Sequence, residues 1–116
     1  MPRRRDRVAP PPKPGAWDFR FATNDAAKGW EALCATSASN ARLAWDRITS
    51  DPRQRDQRQH PLRGSLARRT VGPKELEQWQ FEVTGAGRIW YCIDDERKTV
   101  WMTDASPGHP KATESL

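Results

Sequence analysis

The sequence has 116 residues and a formal net charge of +5, from 20 Lys and Arg against 15 Asp and Glu. This length argues against more than one domain, and a hydrophobic fraction of 35% with six Trp is enough for one small aromatic-rich core, which argues against a disordered chain. The basic charge favours a nucleic acid or an acidic protein as partner.

No stretch approaches the roughly eighteen apolar residues that a membrane span requires. The arginine-rich start is followed by prolines and not by the apolar core of a secretion signal. We therefore expect a cytoplasmic protein without a membrane partner.

The two cysteines, Cys34 and Cys92, are far apart in the chain. Neither His60 nor His109 stands at a metal-ligand spacing from them. We expect free thiols and neither a metal nor a cofactor.

The first residues differ in composition from the rest of the chain. Residues 1–15 carry five basic side chains, one acid and a run of prolines, a composition that favours polyproline II structure and does not build a core. We expect a flexible basic arm over 1–15, either a solvated tail or an electrostatic tether to nucleic acid, and one folded domain over 16–116.

The domain is predicted to begin with a strand and a helical segment. Apolar and polar residues alternate in 17–22, as they do in a half-buried strand. Residues 23–25 offer helix N-caps, and apolar side chains then recur every three or four residues as far as residue 50. This spacing predicts one amphipathic helix, or two helices broken near 36–40, and Pro52 ends it.

Residues 51–69 contain few apolar side chains and many cations, which predicts a basic loop or a ragged sheet edge. Its arginines are Arg53, Arg55, Arg58, Arg63, Arg68 and Arg69. They suit a phosphate-rich surface such as ribosomal RNA, or they form a solvated face.

The remaining chain has the period of a strand meander. Apolar side chains alternate with Gln and Glu in 76–83, and a hairpin turn at 84–87 precedes strands at 88–93 and 99–103. The order of elements predicts an α+β fold, in which an N-terminal strand precedes a helix or helical hairpin packed on one face of a small antiparallel sheet. The other sheet face is expected to be open.

Five segments follow the predicted helix in a fixed order. They are Leu62–Gly64, Trp79–Val83, Gly87–Asp94, Val100–Met102 and Gly108–Lys111. Together they resemble the consecutive motifs of the RelE/ParE superfamily of toxins from type II toxin-antitoxin systems, and the resemblance spans 17–114. It implies a RelE-like fold, a cognate antitoxin protein as partner, and one of two activities. These are metal-independent, ribosome-dependent cleavage of mRNA, which inhibits translation, and inhibition of DNA gyrase.

Metal-free RNA cleavage needs a base for the 2′-hydroxyl, cations for the phosphate and an acid for the leaving oxygen. The resemblance places Arg88 where ribonuclease members carry their main catalytic arginine, and His109 and Lys111 in the terminal segment that the family uses for catalysis. Glu82, on the neighbouring strand, is the candidate base. In the alternative interpretation Arg88 only pairs with Glu82 across the hairpin, and His109 is structural.

Strand alternation places Gln80, Trp90 and Trp101 on the open face with Arg88, where the two indoles could stack RNA bases. Further candidates for RNA contacts are Arg63, Arg68 and Arg69. Alternatively, the indoles are covered as a second small core or buried by an antitoxin helix.

The chain departs from the family at two places. Family members carry lysines where this chain has Gln80 and Glu82, and the place of their near-terminal tyrosine falls near Thr113 and Glu114. An endoribonuclease toxin acting on the ribosome and mRNA is the first hypothesis. The departures favour the alternatives, a toxin that inhibits DNA gyrase by binding alone or a non-toxic nucleic-acid-binding protein on the same fold.

Overall fold

Two helices pack on one face of a mixed sheet of six strands in the computed structural model, which describes residues 2–8 and 11–108. The elements are β1 (Asp18–Phe21), α1 (Asn24–Thr36), α2 (Ala38–Ser50), β2 (Gln59–Pro61), β3 (Arg68–Val71), β4 (Lys74–Glu82), β5 (Arg88–Asp94) and β6 (Thr99–Ser106). The predicted α+β class is confirmed. Neither helix of these ranges is long and apolar enough to cross a membrane.

The strand order across the sheet is β1-β6-β5-β4-β2, and β3 pairs separately with β4. Strands β4, β5 and β6 form the predicted antiparallel meander. Strand β1 runs parallel to β6, so the prediction of a purely antiparallel sheet is wrong. Alternation of apolar residues shows which face of a strand is buried, but it carries no information about the direction of its neighbour.

The helical segment consists of two helices and is not one continuous helix, the other predicted possibility. The Thr23 hydroxyl caps α1 by accepting a hydrogen bond of 2.9 Å from the Ala26 amide. Ser37 lies between α1 and α2 with a non-helical backbone, and its amide donates to the Leu33 carbonyl at 2.7 Å. The break therefore falls inside the predicted range.

The core lies between the helices and the inner face of the sheet, as we call the face toward the helices. Its largest fully buried side chains include Trp45, Tyr91, Phe19, Phe21, Phe81, Leu33, Ile48, Ile89, Ile93 and Met102. The hydroxyl of Tyr91 donates to the Pro52 carbonyl at 2.8 Å and accepts from the Gln59 side chain at 3.0 Å. These two bonds fasten the α2–β2 connection to the sheet, because a buried hydroxyl without partners would destabilise the fold.

The composition of residues 1–15 predicted an arm outside the core, but one of these residues is part of the core. Val8 is fully buried, and its amide donates to the Phe19 carbonyl at 2.7 Å. The Arg5 amide donates to Phe21 at 2.6 Å in the same antiparallel fashion. Strand β1 would otherwise be a sheet edge with unpaired backbone groups, and residues 5–8 satisfy that edge.

Only part of the segment 51–69, predicted as a basic loop or a ragged sheet edge, is a loop. The segment contains β2, a single 3₁₀ turn at Gly64–Leu66 and the start of β3. Arg53 is bound there by two carboxylates, with hydrogen bonds of 2.8 Å to Glu77 and 2.7 Å to Asp95. These bonds hold the pKa of both carboxyl groups below their usual range. The tie is therefore present at neutral pH and is lost as the pH falls through those lowered values.

The outer face of the sheet, opposite the helices, is covered at its centre and is not open throughout. Gln78 is buried there, donating to the Leu66 carbonyl at 2.8 Å and accepting from the Thr103 hydroxyl at 2.7 Å. Cys92 is fully buried beside them. The covering comes from the 3₁₀ turn, which supplies the Leu66 carbonyl, and from β3, where Arg69 reaches Asp104 on β6.

Gly29 on α1 provides the first test of this packing, because a β-carbon there would overlap the carbonyl oxygen of Ala105 on β6. Ala is the better helix former by about 1 kcal/mol, but overpacking costs about 1–3 kcal/mol and here meets backbone. We expect Gly29→Ala to lower the free energy of unfolding in urea. Gly85→Ala is the matched control, since its β-carbon meets nothing within 4 Å, and equal stability of the two variants would contradict the packing.

The covered centre of the outer face is tested by thiol reactivity. Burial raises the pKa of the Cys92 thiol to about 12, and partial burial with the Glu31 carboxylate also raises the pKa of the exposed Cys34 thiol. Because the thiolate is the reactive form, a disulfide reagent at pH 8 should modify Cys34 and spare Cys92 until the chain is unfolded. Cys34→Ser should leave the native protein unreactive. Modification of two thiols at similar rates would show that the face is open.

Candidate functional site

A groove of about 360 Å³ opens on the outer face, next to the β4–β5 turn. We call it the Arg88 groove, and its lining residues are Ala86, Arg88, Trp90, Asp104, Ala105, Ser106 and Gly108. It combines a cation, a carboxylate, a hydroxyl and an indole within one depression.

Arg88 is the cation of this groove. On β5 it lies opposite Glu82 of β4 and Ser106 of β6. Its Nη1 atom is 3.7 Å from Oε2 of Glu82, which is too long for a hydrogen bond, and this buried nitrogen has no hydrogen-bond partner among the described residues. The side chain as a whole is 33% exposed, so the rest of its guanidinium is open to an anion that enters the groove.

Glu82 is brought to Arg88 as predicted, because the β4–β5 hairpin pairs the two residues directly. Its backbone amide donates to the Arg58 carbonyl at 2.8 Å, which fixes the end of β4. The carboxylate is half-buried and faces Arg88 across the hairpin. The pairing of Arg88 with Glu82, the alternative interpretation, is thus present but loose.

Trp90 forms one wall of the groove, and Gln80 orients it by accepting a hydrogen bond of 2.9 Å from the indole nitrogen. Trp101 is on the same outer face but lies opposite Cys92 and lines a different groove. The two indoles therefore do not form the single stacking platform that alternation suggested. Strand register separates them by the covered centre of the face.

Asp104 and Ser106 belong to the groove, and sequence reasoning missed both. The third meander strand was predicted to end at Thr103, whereas β6 continues to Ser106. A register shift between Trp90 and Tyr91 leaves Thr103 without a partner on β5 and places Asp104 opposite Trp90. Such a bulge interrupts the alternation of side chains, which removes the signal that extends a strand prediction.

His60 is a third residue that the sequence did not place. It lies on β2 opposite Gln80, and paired residues of antiparallel strands share a face. The imidazole is thus in line with Gln80 and Trp90 on the outer face, with its Nδ1 atom 3.3 Å from the Pro61 carbonyl. A three-residue strand within a basic segment offers too little alternation to be recognised.

The three arginines predicted to bind RNA have different surroundings. Arg68 pairs with Glu75 at 3.2 Å and Arg69 with Asp104 at 2.5 Å. Arg63 is exposed, and no carboxylate pairs with it in the described part of the chain. Of the three, Arg63 is the one whose charge is available to a phosphate without breaking an ion pair.

His109 and Lys111, the other predicted catalytic residues, lie outside the described residues. The preceding residue, Gly108, is a wall of the Arg88 groove, and its carbonyl accepts from the Ser106 hydroxyl at 2.7 Å. Within 2–8 and 11–108, no group of three or more His, Cys, Asp or Glu side chains is arranged to hold a metal ion.

The groove can therefore bind an anion through Arg88 and stack a flat ring on Trp90, and the Glu82 carboxylate, which does not line the groove, lies beside Arg88. Comparison with protein-family models, with curated proteins and with solved structures found no significant match to the chain. What bears on function is thus the geometry of the groove and the motifs around it.

Proposed function

We propose that this chain is a toxin of the RelE/ParE type that cleaves mRNA on the ribosome without a metal ion and so inhibits translation. The observation that supports this most strongly is the partly exposed Arg88 guanidinium in the groove, which makes no hydrogen bond to the Glu82 carboxylate beside it. A guanidinium held in this way is suited to the extra charge that a phosphate gains in the transition state of cleavage.

In the proposed reaction the 2′-hydroxyl attacks its own 3′-phosphate. Glu82 accepts the hydroxyl proton, and Arg88 donates to the phosphate oxygens as charge builds up on them. The bond to the 5′-oxygen breaks, which leaves a cyclic phosphate and a 5′-hydroxyl. His109 follows Gly108 directly in the chain and is the proposed donor of the proton to that oxygen, with Lys111 as a second cation.

The proposed partners are the ribosome with its mRNA and a cognate antitoxin protein. Trp90, held by Gln80, would stack one base of the message. Arg58 and Arg63 are exposed and have no ion-pair partner among the described residues, and they supply cations for ribosomal RNA.

A second candidate is a toxin that inhibits DNA gyrase by binding alone. It is favoured by the two carboxylates of the site, because Glu82 and Asp104 lie where a negatively charged message would pass. A surface that binds a protein and not a phosphate chain has less reason to avoid them.

Cleavage by purified protein on ribosomes programmed with a defined mRNA, in the presence of a chelator, tests the first proposal. We expect Arg88→Ala to lower the cleavage rate about 10²–10³-fold, since it removes the donors to the developing charge. Arg42→Ala removes an exposed arginine of α2, on the side of the sheet opposite the groove, and should cleave at the wild-type rate. Intact transcripts with the wild-type protein, together with an induced DNA-damage response in cells, would contradict cleavage and support the gyrase alternative.

Glu82→Gln separates the two roles of the carboxylate. If Glu82 is the base, the variant should lose most of its cleavage rate while still binding RNA, because the amide cannot accept the proton. A variant that cleaves as fast as the wild type would show that Glu82 is only a counter-charge to Arg88. The rate constant at saturating RNA and the dissociation constant are the two quantities to compare.

A further inference from the structure

A second groove lies on the outer face, away from the Arg88 groove. It lies between the N-terminal segment and the β3–β4 turn. Its volume is about 430 Å³, and Trp101 of β6 is part of its lining. We call it the Trp101 groove. The charged residues of its lining are Arg4, Arg5, Lys74, Asp94 and Arg97.

Cations dominate this groove. Four of its lining residues are Lys or Arg and one is Asp. Lys74 binds Asp94 at 3.1 Å and also contacts Glu96, so these charges are internally balanced. Arg4, Arg5 and Arg97 are exposed, and none of them has a carboxylate partner in residues 2–8 or 11–108. Three guanidinium groups are thus available to an anion.

Trp101 presents an aromatic surface to the same groove. Its side chain is half-buried, and its indole nitrogen lies 3.5 Å from Oδ2 of Asp94, which orients the ring. A partly exposed indole beside unpaired arginines is the combination by which proteins hold a base and its phosphates.

The wall that carries Arg4 and Arg5 is held firmly in place. Arg5 has a φ of +76°, a left-handed conformation that is unfavourable for a residue with a β-carbon. Hydrogen bonds maintain it, from the Arg5 amide to Phe21 at 2.6 Å and from the Arg20 side chain to the Arg5 carbonyl at 3.0 Å. The Arg4 amide also donates to the Asn24 side chain at 2.8 Å. Strain retained by so many contacts is typical of positions with a function.

We propose that the Trp101 groove binds one nucleotide of a single-stranded nucleic acid, with its base stacked on Trp101 and its phosphates held by Arg4, Arg5 and Arg97. A single strand is favoured over a duplex because a base must leave its stack to reach an indole inside a groove. An acidic peptide would use the arginines but would gain little from the indole. The site needs no catalytic group, so the proposal does not depend on the cleavage proposed above.

Fluorescence anisotropy with a labelled ten-nucleotide oligo(U) RNA measures this binding. We expect Trp101→Leu to weaken binding about 5- to 150-fold, the range for loss of one stacked base, and Trp101→Phe to retain most of the affinity. Arg97→Ala, a surface change that leaves the core untouched, should weaken binding and lower the salt dependence by about one counterion. Arg42→Ala, an exposed arginine of α2 that lines neither groove, is the matched control.

The Arg88→Ala background distinguishes the two grooves. Independent sites behave additively, so Trp101→Leu should cause the same fold loss in that background as in the wild type, whether or not the protein cleaves RNA. A similar loss with oligo(dT) also supports the proposal, since base stacking and phosphate contacts are common to RNA and DNA. Wild-type affinity in both Trp101→Leu and Arg97→Ala would overturn it. Equal affinity of the wild type for the single strand and for a duplex would overturn it too. So would poly-glutamate that displaces the oligonucleotide equally well from the wild type and from Trp101→Leu.

Discussion

The close contact between α1 and β6 is the constraint on which the rest of the structure depends. Gly29 lets the helix backbone lie against the Ala105 carbonyl with no side chain between them. Ala105 faces this contact and also lines the Arg88 groove. The depth of the helix layer therefore sets the position of β6, and β6 in turn sets where Asp104 and Ser106 meet Arg88.

Because β6 is paired on both sides, it transmits this placement across the sheet. Strand β1 adds to one edge in parallel and β5 to the other in antiparallel fashion. The bulge at Thr103 changes the register part of the way along, so Trp101 and Asp104 serve different grooves although both lie on the outer face. The covered centre of the outer face, which contains the buried side chains of Gln78 and Cys92, separates the two grooves.

The net charge of +5 does not show where positive charge is available to a partner. Much of the arginine-rich segment is tied internally, since Arg53 holds two carboxylates and Arg69 holds Asp104. The N-terminal arginines, by contrast, are presented on a fixed wall beside Trp101. Exposed ion pairs add little to stability, so the main effect of the internal pairs is to decide where positive charge remains.

The sequence by itself determined the elements whose signal is local. Alternation identified the inner face of β4 through Trp79, Phe81 and Val83, and spacing with an N-cap identified the helical segment up to Pro52. These signals survive because burial of one face and capping act within a few residues. The pairing of Arg88 with Glu82 followed from the same hairpin.

Only the tertiary structure decided the contacts between segments distant in the chain. It placed Val8 in the core, made β1 parallel to β6, and brought His60 and Asp104 onto the face of the candidate site. A parallel pairing, a three-residue strand and a bulge produce no periodic pattern of their own. These features form where a strand edge or an apolar surface is still uncovered after the local elements have packed. Which edge or surface that is depends on the whole fold.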